Sequence, residues 1–229
     1  MRYAPKRIYT WSQDIAYSVG LMASDGCLQR DKRHIDLTSI DLEQLDNFSK
    51  AMGRNFYVGR KSNGHGDLAY RIQFSDVAYY DFLTSVGLSP AKSKTIGKLR
   101  VPEKFYPDFL RGLFDGDGST YAYYDPRWRS SYMFYITFCS ASIEFIEYIK
   151  LSNKILAGVN GGSIRTADRV YTIAYAKSDS YKIYNYMYYD KGVVSLSRKK
   201  NKLLSYMAID GTVILKDNRA SGEMVNTLA

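Results

Sequence analysis

Apolar and polar residues alternate along this chain with two periods, one of about 3.6 residues, typical of helices, and one of about 2, typical of strands. Near the start, small and apolar positions keep the helical period as far as Ser24 and stop before Gly26. This pattern predicts a helix that begins at Thr10 or Ser12, because hydroxyl side chains cap helix N-termini and glycine often follows a helix end.

The rest of the first half is predicted to alternate strands with helices. His34 to Thr38 alternates polar and apolar side chains, which is typical of a strand with one buried face. The predicted elements are a strand at 34–38, a helix at 41–52 with Leu42, Leu45, Phe48 and Met52 on its buried stripe, strands at 54–60 and 69–75, and a helix that Ser75 and Asp76 cap and Gly87 ends.

The second half repeats this order. Its predicted elements are a helix from Pro102 to Gly116, strands at 121–124 and 132–138, a helix at 142–156, strands at 163–166 and 170–176, and a helix capped by Ser178 and Asp179. A repeat of this length indicates a duplicated domain and not a solenoid. We therefore predict an N-terminal half at 1–100, a C-terminal half at 101–207 and a tail at 208–229.

The first helix of each half carries the same motif. Residues 18–26 read SVGLMASDG and residues 110–118 read LRGLFDGDG, so Asp25 and Asp117 occupy the same place 92 residues apart (117 − 25). Small residues recur every four positions in both helices, and such stripes let two helix backbones approach closely. If the helices pack through these stripes, their C-terminal ends and the two acids come together.

Two adjacent carboxylates repel each other, and each of these also lies at the negative end of a helix dipole. A divalent cation relieves both costs, and oxygen ligands favour magnesium, manganese or calcium over zinc. Metal ions between two acids can activate water for phosphodiester hydrolysis. A single Asp-Gly would indicate only a turn, and a calcium loop starting at Asp115 is excluded by Thr120 and Pro126 at positions that need glycine and glutamate.

Composition narrows the partners. A net charge of +9 favours a polyanion such as nucleic acid, whereas two cysteines and two histidines make a structural zinc site improbable. The 22 tyrosines suit either a wet recognition surface or the packing of a sheet. No apolar run approaches the ~20 residues that span a bilayer, and no signal peptide is evident. We expect an intracellular protein without a membrane partner.

At the two motifs the chain resembles the LAGLIDADG homing endonucleases of the single-chain, two-repeat type, over about residues 10–206. The second copy matches closely, and the first departs at Ser18, Val19 and Ala23. The resemblance implies an α+β fold of two pseudo-symmetric αββαββα repeats that pack through the motif helices. Their two antiparallel sheets would form a saddle in the DNA major groove.

The resemblance also implies roles for individual residues. Asp25 and Asp117 would bind Mg²⁺, with Mn²⁺ as a substitute and Ca²⁺ supporting binding without cleavage. The backbone carbonyls of Ser24 and Gly116 would be further ligands. Lys92 and Lys199 would assist catalysis beside the metals, near the end of the last helix of each repeat, with Lys94 and Lys200 as competitors for this role.

The polar members of the strand alternations would face the DNA. These candidates are Gln29, Arg30, Lys32, Arg33, His34, Asp36, Thr38, Arg71 and Gln73 in the first half, and Tyr123, Arg127, Arg129, Tyr135, Thr137, Arg165 and Arg169 in the second. Arginine and glutamine suit the major-groove edges of guanine and adenine, while other contacts would reach only phosphate.

The sequence thus predicts a site-specific double-strand DNA endonuclease that acts as a monomer, encoded by a mobile intron or as a free-standing gene. Two alternatives on the same fold stay open. One is a DNA-binding regulator that does not cut, and the other is an RNA-splicing maturase.

Overall fold

The first helix, α1 (Gln13–Ser24), begins directly after Ser12, whose side-chain oxygen accepts a hydrogen bond from the backbone N–H of Ile15 at 3.1 Å. This is the predicted capping arrangement. The computed structural model describes residues 7–62, 68–128 and 130–211.

Two strands, a helix, two further strands and a helix follow α1 in the first half. They are β1 (Gly26–Leu28), β2 (His34–Ser39), α2 (Leu42–Ala51), β3 (Val58–Ser62), β4 (Leu68–Ser75) and α3 (Val77–Val86). As predicted, Asp76 caps α3, and Gly87 ends it with a φ of 116°, in the left-handed region that glycine tolerates.

The second half repeats the order and adds one helix. Its elements are α4 (Tyr106–Asp117), β5 (Ser119–Tyr124), β6 (Tyr132–Ser140), α5 (Ile143–Leu156), β7 (Ser163–Ala167), β8 (Val170–Tyr175), α6 (Lys177–Met187) and α7 (Ser197–Ile209). The repeat pattern did not predict α7, which passes the proposed boundary at residue 207. The remainder of the predicted tail, residues 212–229, lies outside the described residues.

Each half forms one antiparallel sheet, and the two sheets have the same strand order. The first sheet is ordered β1-β2-β4-β3 and the second β5-β6-β8-β7. One face of each sheet is covered by helices, with Ile35, Leu37, Phe134 and Ile136 completely buried there. The predicted α+β fold of two αββαββα repeats is therefore confirmed, and each sheet keeps one outward face.

Two predicted helix starts are wrong. A 3₁₀ turn at Glu103–Phe105 follows Pro102, and α4 begins only at Tyr106 with Pro107 in its first turn. A helix from Pro102 would place Pro107 in its interior, where the missing N–H breaks the hydrogen-bond ladder. Likewise α6 begins at Lys177, before the predicted caps, and Asp179 instead accepts hydrogen bonds from the backbone N–H groups of residues 160 and 161.

Three smaller differences concern α2, β1 and β3. Leu42 is 51% exposed because it is the first residue of α2, whereas Leu45 and Phe48 are completely buried as predicted. Cys27, interpreted as part of a polar loop, lies in β1 opposite Asp36. The strand predicted from residue 54 begins later, at Val58. Among the helices in the described part of the chain, none combines the length and apolarity needed to cross a membrane.

Candidate metal centre

The motif helices α1 and α4 pack against each other through backbone atoms. A Cβ added to Gly20 would overlap the carbonyl oxygen of Phe109 and would lie 2.7 Å from the nitrogen of Leu113. A Cβ on Gly112 would overlap the carbonyl oxygen of Tyr17. Only glycine permits this approach. Gly20 lies beside residues 109–113 of α4, and Gly116 lies beside Ser24 at the end of α1. The two helices therefore run in the same direction, and their C-terminal ends meet.

Asp25 and Asp117 lie at these meeting ends. Asp25 caps the C-terminus of α1, and Asp117 is the last residue of α4. A Cβ placed on Gly116 would be 3.1 Å from Oδ2 of Asp25, so the Asp25 carboxylate reaches across to the end of the other helix. The sequence prediction that the duplicated helices bring these acids together agrees with this geometry.

The surroundings of the two carboxylates raise the pKa of both. Desolvation by the surrounding protein, followed by the charge of Asp25, raises the pKa of Asp117 to about 6. Desolvation also raises the pKa of Asp25, while a hydrogen bond from Gln44 acts in the opposite direction. Asp117 is nevertheless an exposed residue, so a ligand can reach it from solvent.

Lys92 and Lys199 each contact the backbone at the C-terminal end of one motif helix, Lys92 at α1 and Lys199 at α4. Lys92 Nζ donates to the carbonyl oxygen of Gly26 at 2.5 Å and, more weakly, to that of Ser24 at 3.5 Å. Lys199 Nζ donates to the carbonyls of residues 114, 116 and 118 at 2.6–2.8 Å. Burial lowers the pKa of both lysines, and the charges of Asp25 and Asp117 act against this shift.

The backbone that carries the lysines differs from the expected helix ends. Lys92 lies in a 3₁₀ turn after α3, and Lys199 lies in the first turn of α7. The N-terminus of α7 is held by two acids, because Asp115 accepts from the N–H of Leu196 at 2.7 Å and Glu43 accepts from that of Ser197 at 3.0 Å. The extra helix therefore positions Lys199.

The competing lysines lie elsewhere. Lys94 is exposed, and Lys200 Nζ lies 5.2 Å from the ring centroid of Tyr188. Lys92 and Lys199 donate to the carbonyls of Ser24 and Gly116, and the hydrogen bonds of the described residues include no such bond from Lys94 or Lys200.

Sequence reasoning missed Gln44. Its Nε2 donates to Oδ2 of Asp25 at 2.6 Å, and its Oε1 accepts from the hydroxyl of Ser39 at 2.8 Å. Gln44 is only 2% exposed, so both ends of the amide are fixed. The sequence shows only a glutamine in the first turn of a predicted helix. Neither its burial nor its place beside Asp25 can be inferred from that.

Asp115, the first acid of the second motif, is completely buried. Its Oδ2 accepts hydrogen bonds from the hydroxyl of Tyr17 and the N–H of Leu196, both at 2.7 Å, and burial raises its pKa to about 6. The first motif has Ala23 at this place. Asp115 therefore joins α1, α4 and α7 and does not face a ligand.

The donors at the helix ends are suited to a hard cation. Two carboxylates and nearby backbone carbonyls provide only oxygen atoms, which magnesium and calcium prefer. The carbonyls predicted as further ligands, on Ser24 and Gly116, also accept hydrogen bonds from Lys92 and Lys199, at 3.5 and 2.6 Å. The described part of the chain contains no cluster of three or more histidine, cysteine or acidic side chains that could hold a metal, so the side-chain ligands of an ion at the helix ends would be these two acids.

The outward face of the first sheet carries most of the predicted DNA-facing residues of that half. Strand pairing places Gln29, His34, Asp36, Thr38, Arg71 and Gln73 there. Asp36, however, accepts hydrogen bonds from Gln29 Nε2 at 2.6 Å and Arg71 Nε at 2.5 Å. It is 5% exposed and holds its neighbours in place, so it presents little surface to a partner.

The outward face of the second sheet carries Tyr123, Tyr135, Thr137 and Arg165. The remaining predicted residues lie in turns between strands, namely Arg30, Lys32, Arg33, Arg127 and Arg169, while Arg129 lies outside the described residues.

Sequence reasoning missed two residues on the outward faces. Tyr121 is paired with Tyr135, and Lys61 is exposed on β3. The signal for Tyr121 was its position two residues before Tyr123, because side chains two apart on a strand share a face.

Comparison with known proteins identifies the fold. No family model and no curated protein matches the chain. The homing endonuclease I-WcaI, solved bound to its DNA recognition sequence, is 15% identical with a TM-score of 0.60, over 85% of this chain and 88% of that one. The LAGLIDADG meganuclease I-AabMI, bound to uncleaved DNA, is 14% identical with a TM-score of 0.55, over 85% and 89%.

The WhiA protein from Thermatoga maritima is also similar. The full-length protein is 14% identical with a TM-score of 0.55, over 93% of this chain and 66% of that one. The N-terminal LAGLIDADG domain of WhiA is 15% identical with a TM-score of 0.53, over 87% and 90%. Together with the duplicated motif and the paired sheets, these similarities show that the chain has the two-repeat LAGLIDADG fold.

Proposed function

We propose that this chain is a site-specific endonuclease that hydrolyses both strands of a DNA duplex with divalent metal ions held by Asp25 and Asp117. The observation that carries the proposal is the meeting of the two acids at the paired helix ends, where the charge of Asp25 adds to the cost of ionising Asp117. Such a pair costs stability without a cation. A site that is unfavourable when empty is typical of function.

The residues around the acids have separate parts in this proposal. Asp25 and Asp117 hold the ions, and Gln44 fixes the orientation of the Asp25 carboxylate. Lys92 and Lys199 place positive charge beside the helix ends, where they can stabilise charge that develops on the phosphate. Ions held by Asp25 and Asp117 would activate a water for attack and would stabilise charge on the leaving oxygen.

The proposed substrate is double-stranded DNA, which one copy of the chain binds with both halves. The net charge of +9 favours a polyanion, and each half offers one outward sheet face. The structurally similar proteins I-WcaI and I-AabMI were solved with DNA. Both motif copies are present in one chain, so cleavage of two strands needs no second copy.

Selection of cleaved duplexes from a randomised DNA library with Mg²⁺ tests the proposal. We expect enrichment of one family of sequences, each cut on both strands at fixed positions. A parallel selection in EDTA for duplexes that bind separates recognition from cleavage. Recovery of bound but uncut duplexes in both conditions would contradict the nuclease proposal.

The second candidate is a DNA-binding protein that does not cut, on the same fold. It is favoured by the contacts of Lys92 and Lys199 with the carbonyls of Ser24 and Gly116, because a divalent ion would have to share those oxygens with ammonium groups. The similarity to the WhiA domain, with a TM-score of 0.53, is close to that of several endonucleases. The two candidates differ only in cleavage, so the same selection decides between them.

A further inference from the structure

Three tyrosines form a cluster on the outward face of the second sheet. Tyr121 of β5 lies directly opposite Tyr135 of β6, with ring centroids 4.8 Å apart and planes 11° from parallel. Tyr123 completes the cluster, at 6.5 Å from Tyr121 and 6.0 Å from Tyr135, again almost parallel. Tyr121 and Tyr123 are 39% and 42% exposed, so the cluster belongs to the surface and not to the core.

The strand positions around this tyrosine cluster are almost uncharged, while Arg127 in the turn after β5 is close enough to interact electrostatically with Tyr123. Strand pairing gives the outward positions of the second sheet as Ser119, Tyr121, Tyr123, Met133, Tyr135, Thr137, Cys139, Ser163, Arg165, Ala167, Val170, Thr172 and Ala174. Within this described face, Arg165 is the one formally charged side chain. The first sheet differs, because Asp36, Lys61 and Arg71 all lie at outward positions of its strands.

The geometry of the cluster restricts what it can contact. Because the rings are nearly parallel and adjacent, they cover part of one another's faces and leave ring edges and hydroxyl groups towards solvent. The hydroxyls of Tyr123 and Tyr135 are 3.3 Å apart, and this hydrogen bond, followed by burial, raises the pKa of Tyr135 to about 12. Tyr135 therefore stays neutral near neutral pH, and the three rings give this part of the face a largely apolar surface.

In the major groove, the apolar feature that distinguishes one base from the others is the C5-methyl group of thymine. Arginine and glutamine instead read the hydrogen-bonding edges of purines. We propose that Tyr121, Tyr123 and Tyr135 make the second half a reader of thymine methyl groups, whereas the first half reads purine edges through Arg71 and Gln73. This inference rests on the proposed function, since it assumes that the outward faces meet duplex DNA.

The two halves would then prefer chemically different half-sites. The half-site on the second sheet would be rich in A·T pairs that present thymine methyls to the tyrosine cluster. The half-site on the first sheet would contain purines at the positions that Arg71 and Gln73 reach. An asymmetric target is the consequence of the asymmetric faces.

Replacement of thymine by deoxyuridine tests this directly, because it removes one methyl group and keeps every hydrogen bond of the base pair. The probe is a duplex that the full chain selects by binding in EDTA, prepared with deoxyuridine throughout one half-site or throughout the other. We expect weaker binding only when the substituted half-site is the one on the second sheet. Each methyl that contacts the cluster should contribute about fourfold in Kd.

Variants of the cluster assign the effect to the rings. Tyr135→Ala should abolish the discrimination between thymine and deoxyuridine, while Tyr135→Phe keeps the ring and should preserve it. Tyr124→Ala is a matched control, because Tyr124 is an exposed tyrosine on the opposite face of β5. Gln73→Ala should leave the discrimination intact and relax base preference in the other half-site. Thermal melting establishes that each variant is folded.

The outcomes separate this inference from the proposed function. Failure to bind any duplex would overturn both. Specific duplex binding that is indifferent to deoxyuridine in both half-sites, or discrimination that persists in Tyr135→Ala, would overturn the inference and leave the proposed function standing. Binding of single strands as tightly as duplex would also overturn it, because a stacked-base platform would then explain the tyrosines.

Discussion

The two motif acids have the same place in the sequence repeat but different neighbours. Gln44, the third residue of α2, donates a hydrogen bond to Asp25, whereas the third residue of α5 is Phe145, which has no hydrogen-bonding group. The repeat predicted both carboxylates, since it fixes their spacing from the helix stripe. It could not predict Gln44, because that contact depends on how α2 lies against α1.

Removal of either carboxylate should stop double-strand cleavage without preventing DNA binding. Asp25→Asn and Asp117→Asn keep the side-chain size but lose the charge that holds a divalent ion. We expect a loss of at least about 100-fold in cleavage rate, measured on supercoiled plasmid that carries the selected target. Asp46→Asn is the control, since Asp46 pairs with Lys50 on the exposed side of α2. Unchanged cutting by either motif variant would contradict the site.

The raised pKa of Asp117 predicts a pH dependence of stability without metal. Its folded pKa is about 6, above the value of about 3.9 for an unfolded aspartate, so the folded protein binds more protons between these values. The free energy of unfolding should therefore fall as the pH rises from about 4 to about 6. Asp115, with a folded pKa of about 6, acts in the same direction.

Asp117→Asn should accordingly stabilise the metal-free protein above about pH 6 and have little effect near pH 4. We expect a gain of at most about 1 kcal/mol, because the carboxylate is exposed and solvent screens it. Urea denaturation in EDTA at several pH values measures this. A variant that is destabilised equally at every pH would show that the charge of Asp117 carries no folding cost.

At the scale of elements, α1 and α4 pack backbone against backbone, because glycines at the contact have no side chains. The four-residue spacing of Ala16, Gly20 and Ser24 in α1, and of Gly112 and Gly116 in α4, predicted this packing, since small residues on one face allow helices to meet. The start of α4 was not predictable from the apolar pattern, because Pro102 and Pro107 both suit a first helical turn. The position of α7 was missed because it has no counterpart in the first half and is held by Asp115 and Glu43, which are distant in sequence.

Alanine at either interface glycine should be strongly destabilising. In Gly20→Ala or Gly112→Ala the new methyl would overlap carbonyl oxygens of the facing backbone, which cannot rotate away. We expect a loss of about 3 kcal/mol or more, despite the better helix propensity of alanine. Gly97→Ala is the control, because its Cβ would meet only the flexible carboxylate of Glu144, at 3.2 Å. Urea midpoints of the three variants provide the measurement.

At the scale of the whole molecule, the order of helices and strands was predicted more securely than individual side-chain contacts. The duplicated order of elements predicted a duplicated domain, and the structure adds that its two sheets have the same strand order. The alternation of each strand predicted its outward face, but the pairing that buries Asp36 between Gln29 and Arg71 needs the register of three strands. The order of elements depends on many residues and tolerates an error at any one of them, whereas the burial of Asp36 depends on a few contacts.

The net charge of +9 predicts salt-sensitive DNA binding. Each phosphate that the protein neutralises releases counterions, so the slope of log K against log salt should be about −0.9 per phosphate. We expect a steep linear plot for a selected duplex, measured by fluorescence anisotropy between about 50 and 200 mM salt. Affinity that does not change over this range would argue against a role for the basic turns, such as those with Arg30 and Arg169.

The glycine contact between the halves has a consequence for building chimeric proteins. Because backbone meets backbone at Gly20 and Gly112, a foreign half could replace either half of this chain if its motif helix leaves the same gap. The foreign half would also have to match the rim of the joint, where Asp41 pairs with Arg198 and Glu43 holds Ser197. A hybrid that satisfies both conditions would join two independent DNA preferences in one polypeptide.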